Sequence, residues 1–122
     1  MSSNIFPHAE VYYFFIEKGI EGLFLRIYPH FTKFSWRSSK KLKFGSLLIF
    51  SPDNFETLCT AVVRERKDEK MDRSMQRYGY ADISVELLDK TKSPVDMYQD
   101  LNKKNIVILE SKAYFEAYFY NL

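Results

Sequence analysis

Chemistry in this chain starts with nine residues, Lys33-Phe34-Ser35-Trp36-Arg37-Ser38-Ser39-Lys40-Lys41, in which cations, hydroxyls and aromatic rings interleave. Lys and Arg gain by displacing counterions from phosphates, Ser hydroxyls bond phosphate oxygens, and an exposed indole stacks on a base for ~1–3 kcal/mol. The run lies in a longer stretch, Gly22 to Pro52, that holds no acidic residue and six cations: Arg26, Lys33, Arg37, Lys40, Lys41 and Lys43. The whole chain is only +2, so everything outside that stretch sums to 2 − 6 = −4. A basic segment set apart in a nearly neutral protein is the footprint of a phosphate-binding surface. Two plainer readings stand beside it. Trp36, the single tryptophan, also suits a core or interdomain anchor, because large aromatics normally serve burial, and the lysines also suit an ordinary solvated face. Only the clustering favours nucleic acid.

A second charged stretch, Arg64 to Arg77 (RERKDEKMDRSMQR), carries six cations and four anions, a net of +2. It reads as a solvated hairpin tip or a short helix. Arg64, Arg66 and Lys67 are its candidate nucleic-acid contacts, offset by their neighbours Glu65, Asp68 and Glu69.

Catalytic chemistry is missing. Gly19, Gly22, Gly45 and Gly79 are too scattered to cradle phosphates, and no Gly-rich loop runs into Lys-Ser or Lys-Thr. His8, His30 and Cys59 suggest neither a triad nor a metal cluster; Cys59 lies in an apolar strand and reads as a small buried hydrophobe. The Asp68-Glu69 pair sits in a charged run without apolar walls to shift a pKa, which argues against acid–base catalysis. A single cysteine forms no internal disulfide and fits a reducing compartment. The longest apolar runs, Val11 to Ile16 and Leu47 to Phe50, fall far below the ~20 residues of a membrane-spanning helix, and the N-terminus lacks a signal-peptide pattern.

The elements that position these residues are mostly strands. At 122 residues the chain fits one domain, residues 1–122, and 46% hydrophobic with 17% aromatic content requires a packed core and excludes disorder. Short alternating runs predict strands near Glu10 to Glu17, Gly22 to Tyr28, Gly45 to Phe50, Leu58 to Arg66, Tyr80 to Leu88 and Asn105 to Leu109. Lys18-Gly19-Ile20-Glu21 joins the first two as a hairpin, and Ser51-Pro52-Asp53-Asn54 is a strong turn signal. Lys90 to Lys104 reads as a surface connection in which Val95, Met97, Tyr98 and Leu101 could dock a short helix or an irregular strand. The C-terminus breaks the strand pattern: Tyr114, Phe115, Tyr118, Phe119 and Leu122 share one helical face, behind Ser111 as N-cap. The expected fold is mainly β, a small six-stranded antiparallel barrel of OB or 1B type with a C-terminal α-helix. That helix either closes the barrel end or serves an interface, for which Tyr114, Tyr118 and Phe119 are the candidates. Ending at Tyr120-Asn121-Leu122, the chain reads as a piece of a longer protein.

Several spaced blocks carry a family resemblance: Lys40-Lys41-Leu42, Gly45-Ser46-Leu47-Leu48, Asp53-Asn54-Phe55-Glu56-Thr57, Thr60-Ala61-Val62-Val63-Arg64-Glu65-Arg66 and Glu110-Ser111-Lys112-Ala113-Tyr114-Phe115-Glu116-Ala117-Tyr118. In that order they resemble the region just upstream of the ATPase core in the zinc-finger NFX-type helicases, relatives of the up-frameshift RNA helicases of superfamily 1. The resemblance spans roughly residues 33 to 122 and departs from the pattern at Arg64 to Arg77, which reads as an expanded hairpin. It implies an accessory β-barrel, domain 1B, packed on the first RecA-like domain, with the helicase core as partner; the basic segment adds RNA as the expected ligand, and aromatics left bare in a piece of a longer protein add a homodimer as an alternative partner. The resemblance implies that this chain is not itself an enzyme and carries no cofactor, ATP and Mg belonging to the parent's core and the zinc fingers lying elsewhere. The implied setting is cytoplasmic, in ribonucleoprotein or perinuclear germ granules, with a role in small-RNA-directed silencing and its inheritance or in antiviral RNA sensing. The competing reading is a protein-interaction or dimerisation module using the barrel face or the aromatic helix.

Overall fold

The computed structural model describes residues 3–29, 36 and 41–111. Six strands, β1 (Ser3–Glu17), β2 (Ile20–Ile27), β3 (Leu47–Ser51), β4 (Cys59–Glu65), β5 (Ala81–Leu87) and β6 (Ile106–Ser111), close a barrel in the order β1-β2-β5-β4-β3-β6. Every pairing is antiparallel, and β6 returns to β1 to complete the ring. Closure gives each of the six described strands a neighbour on both sides, although β1 divides its length, pairing with β6 up to Ala9 and with β2 from Ala9 onward. The expected C-terminal helix lies outside the described residues.

Alternation does most of the work. Ala81, Ile83, Val85 and Leu87 of β5 point inward, as do Ile106 and Ile108 of β6 and Leu23, Leu25 and Ile27 of β2. The first strand begins at Ser3, seven residues earlier than expected, and bends twice. Its register shifts between Phe6 and Ala9 against β6, and between Val11 and Tyr13 against β2. Each shift changes which residues face inward, so Phe6 and then Ala9 and Val11 are buried. Such bulges let one strand turn from one neighbour to the next and so close a small barrel. Pro7, which has no N–H to give a ladder, sits in the first irregularity.

Two helices lie outside the ring. The charged stretch after β4 forms α1 (Asp68–Tyr78), settling the choice between hairpin tip and helix in favour of the helix. Met71 is buried and Met75 packs against the core, an i, i+4 pair that fixes the inner face. Asp68 and Glu69 in the first turn and Arg77 in the last complement the helix dipole. Gly79, at φ 80°, ends α1 by bonding its N–H to the Met75 carbonyl. The second helix, α2 (Pro94–Leu101), starts at Ser93, whose hydroxyl accepts from the Asp96 N–H, and buries Pro94, Met97 and Leu101. The apolar residues that could dock Lys90 to Lys104 therefore do so as a helix.

One barrel end is plugged from the β2–β3 connection. Trp36 and Leu42 are fully buried there, so the indole is a core anchor. Glu110 points inward with Ile106 and Ile108, is 4% exposed, and accepts the Leu42 N–H at 2.7 Å. Arg66 fastens the same connection. Its guanidinium donates to the carbonyls of Trp36 and Lys41, both at 2.6 Å, and to Asp68 at 2.7 Å.

Candidate nucleic-acid interface

The cations on the charged helix are sorted by its two methionines. With Met71 and Met75 turned inward, Lys70, Arg73 and Arg77 at i, i+3 and i+7 share an outward face, and all three are exposed. Two of the three acids of the helix are engaged elsewhere: Asp68 with Arg66, and Asp72 with the Trp36 backbone N–H. Net charge across α1 is zero, and exposed Glu69, four residues before Arg73, borders the cationic face. Among the described residues Lys70, Arg73 and Arg77 have no carboxylate within ion-pair distance.

These cations line one wall of a groove. Two hollows, of 150 and 870 Å³, share Lys70, Ser74 and Asp82 and run between α1 and the outer faces of β2 and β5. From Lys67 at its start to Tyr78 at its end, α1 extends ~16 Å.

The far wall is aromatic and held rigidly. Arg26 on β2 pairs in register with Asp82 on β5, and its guanidinium makes two bonds to that carboxylate at 2.9 and 3.1 Å. Hydrogen bonding to Asp82 raises the Arg26 pKa above its ordinary value against the opposing effect of burial, so this cation never titrates. Its guanidinium lies 4.2 Å from the Tyr12 ring centroid and 4.0 Å from that of Tyr80. Tyr80 in turn stacks on Tyr78, 5.4 Å between centroids and 14° between planes. Tyr28 meets Tyr80 edge-on and donates its hydroxyl to Glu10; burial first, then that bond, raises the Tyr28 pKa.

The residues singled out from sequence fall in four groups. Lys33, Arg37 and Lys40, and the candidate interface residues Tyr114, Tyr118 and Phe119, lie outside the described residues. Lys41 and Lys43 sit on the turn that Glu110 and Arg66 pin; Lys43 is exposed, and Lys41 lies half-buried 5.8 Å from the Phe6 ring centroid. Arg64 and Lys67 are exposed at the ends of long ion pairs, 3.9 Å to Glu86 and 3.6 Å to Glu65. Arg66 has only 7% of its side chain exposed and its donors serve the fold. Lys70, Arg73, Arg77 and the tyrosine wall were not singled out. The i, i+3, i+7 spacing of the three cations, followed by Tyr78 and Tyr80, was the available signal, hidden because the net charge was averaged over the whole stretch.

A separate hollow of 360 Å³ opens between the β3–β4 turn and α2, with half-buried Cys59 in its wall. Burial raises the Cys59 pKa, the reverse of what a nucleophilic thiolate needs. Among the described residues no three His, Cys, Asp or Glu side chains come together as a metal site.

Fold and groove together define a closed six-stranded barrel that carries a cationic, aromatic-walled channel on its outside. The profile of the ZNFX1 domain matches residues 2–114, and this chain belongs to that family. It is 36% identical over 83 residues to NFX1-type zinc finger-containing protein 1 of Homo sapiens and 35% identical over 83 residues to the protein of that name from Mus musculus. Each match covers 68% of this chain and 4% of the relative, so the chain corresponds to a small part of those proteins' length. No solved structure matches.

Proposed function

We propose that this barrel is the non-catalytic, RNA-holding accessory domain of an ATP-dependent superfamily 1 helicase. The observation that carries the reading is the groove along α1, where Lys70, Arg73 and Arg77 face outward with no carboxylate in ion-pair distance among the described residues, while Asp68, Asp72 and Asp82 are engaged with Arg66, the Trp36 N–H and Arg26. Exposed Lys43 supplies a further cation on the turn pinned by Glu110 and Arg66, and the basic run through Lys33, Arg37 and Lys40 precedes it in sequence. In the parent the barrel rides on the first RecA-like domain and holds or gates the strand, while ATP and Mg belong to the RecA core. Contacts to phosphate dominate, so little sequence preference is expected. The wider setting proposed with it is small-RNA-directed silencing or antiviral RNA sensing in cytoplasmic ribonucleoprotein granules.

Titrating a labelled RNA with this chain at low ionic strength tests the reading by fluorescence anisotropy. Saturable binding that weakens with salt is expected, and absence of binding even in the lowest salt overturns direct RNA contact.

A second reading, a protein-docking barrel, has Phe44 in its favour, 80% exposed beside Lys43. Tyr114, Tyr118 and Phe119 belong to that proposal as well. Light scattering decides it: a mass that rises with concentration and is restored to the monomer by Phe44→Ser, with RNA affinity intact, favours docking.

A further inference from the structure

We infer that Tyr78, backed by Tyr80, Arg26 and Tyr12, is a stacking platform for an unpaired nucleobase, which would make the groove selective for single strands. The inference rests on the RNA-binding reading and adds a residue-level site to it.

Tyr78 is 59% exposed at the last position of a helix, yet its orientation is tightly determined. Gly79 turns the chain through a left-handed conformation immediately after it, and this return brings Tyr80 under the Tyr78 ring at 14°. From there the contacts continue through the Arg26 guanidinium to Tyr12, so the ring is supported from the residue leading into β5, from β2 and from β1. Asp82 grips Arg26 by two bonds and prevents the column from sliding. Tyr78 is the outermost ring of the series, with the Arg77 guanidinium 5.9 Å from its centroid; an arriving flat group shares the ring with that cation or displaces it, while the rings behind have little to reorganise, which lowers the entropic cost of binding.

Position then decides which flat group fits. Tyr78 and Tyr80 both line the larger hollow, in the same groove as Lys70, Arg73 and Arg77. An amino-acid ring or a small aromatic would use the platform and leave the cations idle. A nucleotide strand uses both, its phosphates along α1 and a base on Tyr78. Bases inside a duplex already have both faces covered by their neighbours, so only an unpaired base reaches the ring.

The test uses the 122-residue chain with a single-stranded RNA and a duplex of the same sequence flanked by GC-rich pairs and closed at both ends by stable tetraloops, so that no base-pair face is left open, read by anisotropy. The wild-type chain is expected to prefer the single strand. Tyr78→Ala should lower single-strand affinity about tenfold, leave duplex affinity and the salt slope unchanged, and so erase the preference. Tyr78→Phe, which keeps the ring, should bind like wild type; it also guards against a folding defect, as does an unchanged melting temperature. Tyr78→Trp should show indole quenching on adding the single strand and none on adding the duplex. Equal single-strand affinity of wild type and Tyr78→Ala overturns the platform while leaving the cationic groove standing. Failure of the wild-type chain to bind either RNA overturns the groove reading and the platform with it.

Discussion

Arg66→Met separates a structural cation from a phosphate contact. The wild-type guanidinium is almost wholly enclosed, with 7% of its side chain exposed, and its bonds include those to the carbonyls of Trp36 and Lys41 and two to Asp68. Met keeps the apolar stem and removes every donor. Two carbonyls at the plugged end of the barrel lose a charged donor, at about 1–3 kcal/mol each, while Asp68, a third exposed, recovers part of its loss from water. The sum is about 3–5 kcal/mol. Unfolding entropy near 2.1 cal/mol/K per residue gives about 0.26 kcal/mol/K for a chain this long, so the melting temperature should fall by about 12–20 °C. Thermal denaturation followed by circular dichroism measures it, and urea titration gives the free energy directly. A loss under ~1 kcal/mol would refute the argument that Arg66 clips the β2–β3 connection to α1. Below the transition, RNA affinity should show the wild-type salt slope. A variant that keeps its stability and loses about one unit of slope would return Arg66 to the phosphate contacts expected from sequence.

Gly22→Ala should destabilise by about 3 kcal/mol, because a Cβ there would overlap the Phe15 ring and the backbone carbonyl of Val85, and the carbonyl is held in the β2–β5 ladder; a change under 0.5 kcal/mol in urea would contradict this. Asp53 accepts from the Thr57 hydroxyl and backbone N–H and then from Ser51, which lowers its pKa below the ordinary 3.8. A depressed carboxylate contributes stability that is fully present above the unfolded value and lost as pH falls through the folded one. The melting-temperature difference between wild type and Asp53→Asn should therefore be constant from pH 7 to 5, shrink below about pH 4 and then vanish; a difference that persists unchanged into stronger acid would refute the assignment.

Much of the barrel was legible because four strands keep clean alternation and the turn at Ser51-Pro52-Asp53-Asn54 is strongly encoded. In the structure Asn54 and Phe55 both take positive φ, at 60° and 67°, with the Phe55 N–H bonded to the Ser51 hydroxyl. The first strand was read short because its two register shifts break the period of two that identifies a strand. The choice between hairpin and helix at Arg64 to Arg77 turned on Met71 and Met75, whose spacing is helical but whose burial depends on a barrel assembled from distant strands. The interface was harder to read for the same reason. Arg26 counted as a free cation in an acid-free stretch, yet its partner Asp82 arrives from a strand 56 residues away. Arg66 counted as a surface contact, and the carbonyls it serves lie 25 and 30 residues back. Charge clustering along a sequence locates cations; only the pairing of strands decides which remain available.

The most direct measurement of the central claim is the salt dependence of RNA binding by the wild-type chain and by Lys70→Gln/Arg73→Gln/Arg77→Gln. Three phosphate contacts on a single strand contribute a slope of about −2 in log affinity against log salt, equivalent to roughly a twentyfold loss between 50 and 200 mM. The account predicts that the triple variant folds normally and has a slope shallower by about two units. RNA binding whose slope is the same in both proteins would place the phosphates elsewhere and contradict it.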